Sequence, residues 1–305
     1  MNTALVWTIF GVVVLAALAL DLGVFQRKAH EPSLREAGGW VVVWITLAAA
    51  FNGYLVYAYG LAKAVEFTQG YLLELALSTD NLFVFLIIFS YFRVPRAFQH
   101  RVLFWGILGA VLTRGVFIAV GAAVIQRFHW ILYLLGIFLV YVALKLVVRK
   151  NEKIDPAKNP VLRLFRRLVR VAEEETGPHF LVRREGKVWA TPLLAVLIVI
   201  EAVDVTFAVD SIPAIFGVTT DVLIVLTSNV FAVLGLRSLF FLVSGLAQKL
   251  AYLNYGIALV LAFIGVKIVL ERWMKIPVYL SLAVVLATLT AAAVASLLVR
   301  QRLKK

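Results

Sequence analysis

The sequence contains no cysteine, two methionines and four histidines. Without cysteine, disulfides, thiolate metal sites and cysteine catalysis are all excluded. The few methionines and histidines leave little choice of soft or imidazole metal ligands. A glycine-rich phosphate loop is also missing from the sequence, which argues against nucleotide-driven pumping by this chain. We therefore expect a protein that is not an enzyme and that has no permanently bound cofactor.

Hydrophobic residues, in contrast, make up 63% of the 305 residues, and the mean hydropathy is +0.96. A soluble domain is only about 45–50% apolar, and a membrane-spanning helix needs about 20 mostly apolar residues. These values predict an all-α polytopic membrane protein with about nine transmembrane helices. The nine segments lie at about 3–25, 39–61, 67–92, 101–123, 128–148, 191–216, 221–243, 252–271 and 276–299.

The distribution of lysine and arginine predicts the orientation of these segments. Of the 30 basic residues, 22 fall in the connections and the C-terminal tail on one side of the membrane, four on the other side and four within the segments. Since cytoplasmic loops carry the excess of positive charge, we expect the N-terminus outside and the C-terminus inside. The formal net charge of +13 then reflects orientation and gives no reason to expect a nucleic-acid partner.

The long cytoplasmic connection, 149–190, is the one sizeable stretch outside the predicted membrane segments. Its residues 161–170 predict a basic amphipathic helix on the anionic inner leaflet, with a regulatory partner site as the alternative. Residues 180–189 predict a small hairpin that turns at 185–186. Thr191 and Pro192 are then expected to cap and start the sixth segment.

The sixth segment carries three carboxylates within ten residues, Glu201, Asp204 and Asp210, and Pro213 follows them. One charged group near the bilayer centre costs about 2.5–3.5 kcal/mol on insertion scales. Three such groups in one segment indicate a function, and they suggest a cation site. The third segment contains a related acidic stretch at 74–81.

Segments three to five and segments six to eight match in the placement of their charged residues. The match pairs Glu74 with Asp204, Asp80 with Asp210, Arg114 with Arg237 and Lys145 with Lys267. Two units of three spans each have opposite orientations, which predicts the inverted-topology repeat of many secondary transporters. The predicted divisions are 1–66 with two leading helices, the repeat units 67–148 and 191–271, the connection 149–190, and 272–305 with the last helix and a basic tail.

Carboxylates that are six residues apart, such as Asp204 and Asp210, differ by about 120° around a regular helix. An unbroken helix therefore cannot aim all three acids of the sixth segment at one ion. Pro213 removes a backbone hydrogen bond to the Val209 carbonyl. We expect this segment to be kinked or unwound around 208–213, which would make carbonyl oxygens available to an ion, and we expect the same at 78–81 of the third segment.

The deep acids exceed the deep bases, with a formal charge of −5 against +2. This excess suits a divalent cation that protons replace, and oxygen ligands select hard ions such as Mg²⁺, Ca²⁺ or Mn²⁺. The alternative is that acids form salt bridges with the two arginines and hold the helices together, which we expect of one or two acids. The predicted metal ligands are Glu74, Asp80, Asn81, Glu201, Asp204 and Asp210, supported by Arg114, Arg237, Ser78, Ser211 and Asn229.

Both acidic stretches resemble the signatures of a known family. The runs 70–85 and 201–216, together with 190–192 and 218–229, are similar to those of the TerC family of bacterial membrane proteins, and most similar to its Alx-like manganese exporters. Thr79 departs from the Alx-like pattern, which has valine there. The resemblance implies a fold of the LysE superfamily, manganese export from the cytoplasm, metal supply to exported enzymes and the label of tellurium resistance.

We therefore expect a secondary transporter in a bacterial cytoplasmic (inner) membrane, with the lipid bilayer, a divalent metal ion and protons as its partners. Transported Mn²⁺ is what the resemblance implies, whereas the charges lead only to a hard divalent cation. Two alternatives stay open. One is a proton or acid-stress transporter, and the other is a non-transporting membrane scaffold that assists the metallation or insertion of other proteins.

Overall fold

The computed structural model describes residues 6–16, 33–128, 130–148, 179–184, 187–246, 253–270, 273–274 and 276–303. These residues are mostly helical, and the part of the chain outside the helices includes one small hairpin. The helices are α1 (Val6–Ala16), α2 (Leu34–Tyr59), α3 (Leu61–Tyr91), α4 (Arg96–Arg127), α5 (Ile131–Val148), α6 (Pro192–Phe216), α7 (Val222–Leu234), α8 (Leu236–Leu246), α9 (Leu253–Leu270) and α10 (Val278–Leu303). The hairpin consists of β1 (Leu181–Arg184) and β2 (Lys187–Ala190).

Five of the described helices are long and apolar enough to cross a membrane: α2, α3, α4, α6 and α10. Helices α7 and α8 meet at a bend of 44° and pass the same test as one broken span, which gives a sixth. Helices α1, α5 and α9 contain shorter apolar stretches. The protein is therefore a multi-pass helical membrane protein, and every predicted segment overlaps a described helix. The number nine, and the orientation, stay predictions.

The predicted hairpin is present, because β1 and β2 pair antiparallel with Leu181 opposite Ala190. It joins directly to the start of α6. The Thr191 hydroxyl donates to the His179 carbonyl at 2.7 Å, and it accepts from the Leu194 N–H at 3.4 Å. Thr191 thus caps the helix as its position before Pro192 predicted. The predicted amphipathic helix at 161–170 and the predicted turn at 185–186 lie outside the described residues.

Of the kink or unwinding predicted around 208–213, the unwinding is wrong, because α6 is helical without interruption from Pro192 to Phe216. The kink stays a prediction. Transmembrane helices tolerate an internal proline when neighbouring groups and helices support the freed backbone. Here Ala208, Ile212 and Ala214 are buried in one apolar core cluster, which holds both sides of Pro213 in place. Helix α3 is likewise continuous through 78–81.

The break in helical structure occurs instead in the seventh predicted segment, at Gly235. This residue separates α7 from α8 and stands two positions before the buried Arg237. It lies over α2, since a Cβ on Gly235 would be 3.5 Å from the Trp44 Cβ. The corresponding helix of the first predicted unit, α4, runs unbroken through Arg114.

The described helices pack in matched pairs. Helix α3 packs on α7, α6 packs on α4, α5 packs on α9, and α3 and α6 also contact each other. One apolar cluster surrounds the C-terminal part of α3 and the N-terminal parts of α4 and α6, while another surrounds the opposite ends of α4 and α6 together with α5 and α9. A third holds α2 against α3 and α7 through Phe51, Phe67 and Phe231, with the Phe51 and Phe231 ring centroids 4.9 Å apart.

Helices α5 and α9 approach each other through their glycines. A Cβ on Gly265 would be 2.6 Å from the Gly136 carbonyl oxygen, and a Cβ on Gly136 would be 2.9 Å from the Gly265 carbonyl oxygen. Small residues allow this kind of close backbone contact between membrane helices. Because the obstacle on each side is backbone, it cannot rotate away as a side chain could.

We predict that Gly265→Ala destabilises the protein by about 1–3 kcal/mol, since the added methyl group overpacks the α5–α9 contact. The control is Gly53→Ala on α2, where an added Cβ meets nothing within 4 Å and where alanine is favoured over glycine by about 0.5–1 kcal/mol in a helix. Thermal unfolding of the purified protein in detergent measures both. Equal melting temperatures for the two variants would contradict the predicted contact.

Candidate functional site

Four helices bring polar side chains together in the interior of the protein. Glu74 comes from α3, Arg114 from α4, Asp204 from α6 and Asn229 from α7. The first two and Asn229 are 0% exposed, and Asp204 is 4% exposed. Ionised groups are almost never this deeply buried unless they are paired. We call these four residues the central cluster.

Glu74 uses both of its carboxylate oxygens in this cluster. Its Oε1 accepts hydrogen bonds from the guanidinium of Arg114 and from the Ser78 hydroxyl, the latter at 3.1 Å. Its Oε2 accepts from the Asn229 side-chain amide at 3.1 Å. Ser78 lies one turn further along α3, at the i, i+4 spacing that places two residues on the same face. Within α3, Ser78 thus helps to hold the Glu74 carboxylate in place by a hydrogen bond.

Asp204 binds the other edge of the same guanidinium. The Arg114 Nη2 donates to Oδ1 at 3.3 Å, and Nε donates to Oδ2 at 3.4 Å. Such a two-point contact uses the fixed fork of the arginine side chain. Arg114 therefore connects α3 to α6, which carry the two acidic stretches of the sequence.

The central cluster holds two carboxylates and one guanidinium, so its formal charge is −1 when both acids are ionised. The expectation that one or two of the deep acids pair with an arginine is confirmed for Glu74 and Asp204. Both acids pair with the same arginine. Each carboxylate is thus occupied by donors from protein side chains in this structure.

Glu201 precedes Asp204 on α6 and contacts another residue of α4. Its carboxylate lies against Gly109 of α4, where a Cβ would overlap the carboxylate atoms. At Gly106, one turn earlier, a Cβ would be 3.4 Å from the Ile200 Cγ2 and 3.9 Å from the Glu201 Oε1, so it would fit without overlap. Glu201 is half-buried, and it is close enough to Asp204 for the two charges to interact. The absence of a side chain at Gly109 is what makes room for it.

The remaining predicted site residues lie in separate places along α3, α6 and α8. Asp210 is half-buried, and Lys145 on α5 is the basic residue with which it interacts electrostatically. Ser211, Asn81 and Arg237 are buried, with exposures of 2%, 6% and 2%. Asp80 lies in α3 by its backbone, and its side chain is outside the described part of the structure.

Among the described residues, no three acids, histidines or cysteines converge as a metal site would require. The reason is the one that helical geometry gives. On the unbroken α6, Glu201 and Asp204 share the face towards α4, whereas Asp210, six residues beyond Asp204, lies towards α5. The full ligand set predicted from the sequence stays a prediction.

A second polar group lies at the N-terminal end of α3, and sequence reasoning missed it. The Lys63 ammonium is 2.9 Å from the Glu66 Oε2 and 3.0 Å from the Asp221 Oδ2, and the Thr219 hydroxyl donates to the same Glu66 oxygen at 2.6 Å. A cavity of about 540 Å³ opens beside Lys63, Glu66 and Thr219. The i, i+3 spacing of Lys63 and Glu66 was the signal that could have indicated this group.

We predict strong energetic coupling between Arg114 and Glu74. The single change Arg114→Gln leaves two buried carboxylates without a cation and should cost about 3–5 kcal/mol. Glu74→Gln should cost less, because Arg114 keeps its contact with Asp204. The double variant should be more stable than the sum of the two costs implies, by about 0.5–3 kcal/mol. Unfolding free energies in detergent measure this cycle.

Ser78→Ala provides the control for that cycle, because it removes one neutral hydrogen-bond donor to Glu74 at a cost of about 0.5–1.5 kcal/mol. Strict additivity of the Arg114 and Glu74 changes would contradict the pairing.

Comparison with known proteins agrees with this architecture. The family model described as "Integral membrane protein TerC family" matches residues 59–304. A Myxococcus xanthus protein named "Uncharacterized membrane protein STKORF319" is 46% identical over 96% of this chain and 92% of its own length. An Escherichia coli K12 protein named "Putative membrane-bound redox modulator Alx" is 44% identical over 94% of this chain and 92% of its own.

A more distant relative from Rickettsia felis, "Uncharacterized membrane protein", is 38% identical over 96% of this chain and 97% of its own length. No solved structure matches the chain. The family match covers both acidic stretches and all four residues of the central cluster. This protein therefore belongs to the TerC family of integral membrane proteins.

Proposed function

We propose that this protein is a secondary transporter that exports a hard divalent cation, with manganese as the first candidate, from the cytoplasm in exchange for protons. The observation that carries the proposal is the convergence of Glu74 and Asp204 inside a membrane protein. Ionisable residues within membrane spans are costly, and they usually line the pathways of ions or protons. Carboxylate oxygens suit hard ions. Manganese in particular is favoured by the resemblance of the acidic stretches to those of the Alx-like exporters.

The packing of the helices supports an inverted repeat. In the predicted repeat, α3 corresponds to α6, α4 to α7 with α8, and α5 to α9. Exchanging the two units therefore turns the α3–α7 contact into the α6–α4 contact and leaves the α5–α9 contact unchanged. That is the contact pattern of two units related by a pseudo-twofold axis. In such transporters the substrate site lies between the units near the midplane, and the central cluster joins α3 and α6 of the two predicted units through Arg114.

The surroundings of the cluster support an occluded site. Leu82, Phe85 and Ile200 line the space beside Asp204 on the side of one apolar core. The other apolar core closes the opposite side, and it includes Leu73, Ile118 and Ala208. A cation that leaves such a dry site exposes unpaired carboxylates, so a proton or another positive charge must replace it.

The names of several relatives describe a redox modulator. This sequence contains no cysteine, so its side chains cannot carry out thiol–disulfide exchange. We propose that a redox effect of this protein would act through the metal that it moves.

We also place the protein in the cytoplasmic membrane of a bacterium, with the basic connection 149–190 on the anionic inner leaflet. A non-transporting scaffold is the second candidate, and the closed pairing of Arg114 with both acids is the observation that favours it.

Manganese flux into inverted vesicles or proteoliposomes, with and without a pH gradient, tests the proposal. We predict Mn²⁺ uptake that the pH gradient stimulates, and loss of at least 90% of the rate in Asp204→Asn, because a neutral amide is a far weaker ligand. The control is Glu36→Gln, which changes a half-buried acid in the first turn of α2, outside the central cluster. Proton movement without metal would indicate the acid-stress alternative, and no flux of either ion would indicate the scaffold.

A pair of glycine variants tests whether Glu201 belongs to the pathway. Gly109→Ala places a methyl group where the Glu201 carboxylate lies, so the carboxylate must move, and we predict that the Mn²⁺ flux falls about tenfold. Gly106→Ala adds the same methyl group one turn away at ordinary contact distance and should leave the flux within about twofold of the wild type. Equal fluxes in the two variants would remove Glu201 from the pathway.

A further inference from the structure

The arginine of the central cluster occupies the carboxylate oxygens that a transported cation would need. Arg114 directs three N–H groups at Glu74 and Asp204: Nη1 to the first, and Nε and Nη2 to the second. A metal ion that binds both acids must therefore break these contacts. The inference drawn from this conflict rests on the proposed function and concerns the same site.

Arginine cannot resolve the conflict by losing its proton, since its guanidinium stays charged in proteins. A lysine or histidine at the same place could become neutral when a cation arrives. Arg114 can only change its position, and its long flexible side chain allows this. In the described part of the structure, the guanidinium donates only to the two carboxylates, so the acids are what keep it in place.

Asn229 supplies an independent sign that the cluster accepts a further cation. Its amide nitrogen donates to the Glu74 Oε2 at 3.1 Å, while its Oδ1 is buried without a hydrogen-bond partner in the described part of the structure. Reversing the amide would turn Oδ1 towards the carboxylate and create repulsion, so the network itself sets this orientation. A buried carbonyl oxygen without a donor is costly. A cation bound to Glu74 would remove the repulsion that prevents the reversed amide, so Oδ1 could turn towards the ion.

We propose that Arg114 is a tethered counter-cation. Its guanidinium occupies Glu74 and Asp204 while no ion is bound, and it gives way when a divalent cation binds the oxygens of Glu74, Asp204 and Asn229. The return of the guanidinium then helps to expel the ion. Between transport events it limits the charge of the empty cluster to −1, which lowers the cost of moving the empty site through the membrane interior.

The proposed role of Arg114 predicts how the apparent affinity for the metal ion changes when the guanidinium is removed. When a ligand binds only one of two conformations, its apparent dissociation constant is the intrinsic constant divided by the fraction of protein in the competent conformation. The conformation with Arg114 on the carboxylates is not competent. Removing the guanidinium should therefore increase the apparent affinity for metal, whereas a purely structural arginine would lower affinity or leave it unchanged when it is lost.

The test compares Arg114→Gln and Arg114→Lys with the wild type as full-length proteins in lipid nanodiscs. Calorimetric titration with Mn²⁺ alone measures affinity, and proteoliposome flux measures turnover. We expect Arg114→Gln to bind Mn²⁺ at least tenfold more tightly and to turn over more slowly, because release is delayed. Arg114→Lys keeps a charge but loses the two-point contact with Asp204, so its affinity should lie between the two. The double variant Arg114→Gln with Glu74→Gln should lose the gain.

An unchanged or weaker affinity in Arg114→Gln overturns the tethered counter-cation. If Arg114→Gln does not fold, Arg114→Lys is the deciding variant. A Mn²⁺ affinity of Arg114→Lys that is equal to or weaker than that of the wild type also overturns the tethered counter-cation. Mn²⁺ transport by the wild type together with such a result leaves the proposed function standing and removes only the role of Arg114. Absence of both Mn²⁺ binding and Mn²⁺ transport in the wild type overturns both proposals.

Discussion

The contact of Arg114 with Glu74 and Asp204 is the constraint on which the rest of the interior depends. In the low-dielectric interior of a membrane protein neither carboxylate would remain charged alone, and the guanidinium would be equally costly without the acids. The three charges therefore require one another. They come from three helices, and Asn229 adds a fourth, so α3, α4, α6 and α7 must meet at one place for any of these residues to be tolerated.

The helices that carry the acids are continuous, and this determines what the site can offer an ion. The carbonyl oxygens in the middle of α3 and α6 belong to an unbroken helix. In transporters with discontinuous helices, unwound backbone supplies part of the ligand set, whereas the continuous α3 and α6 offer mainly side-chain oxygens. Among the described helices, the break within a span is at Gly235, two residues before Arg237. The two predicted units thus share a packing pattern but differ in the helix that carries the arginine.

Much of this architecture could be predicted from the sequence, because apolar run length, turn residues and capping residues act locally. The predicted segments, the hairpin before α6 and the Thr191 cap follow from such signals. The direction of Glu201, Asp204 and Asp210 also follows from helical periodicity. Local rules failed at Pro213, where buried neighbours keep α6 intact, and at Gly235, where α2 packs against the break. They also gave no indication that both acids share Arg114, since that depends on tertiary contacts.

The backbone contact between Gly136 and Gly265 limits how α5 and α9 can move against each other. Each glycine faces the carbonyl oxygen of the other, and bulkier residues such as Val140 and Ile268 lie next to them. Sliding α5 along α9 would drive these side chains into backbone, whereas tilting one helix against the other keeps the contact closed. This contact therefore resists sliding of α5 along α9 more strongly than tilting of one helix against the other.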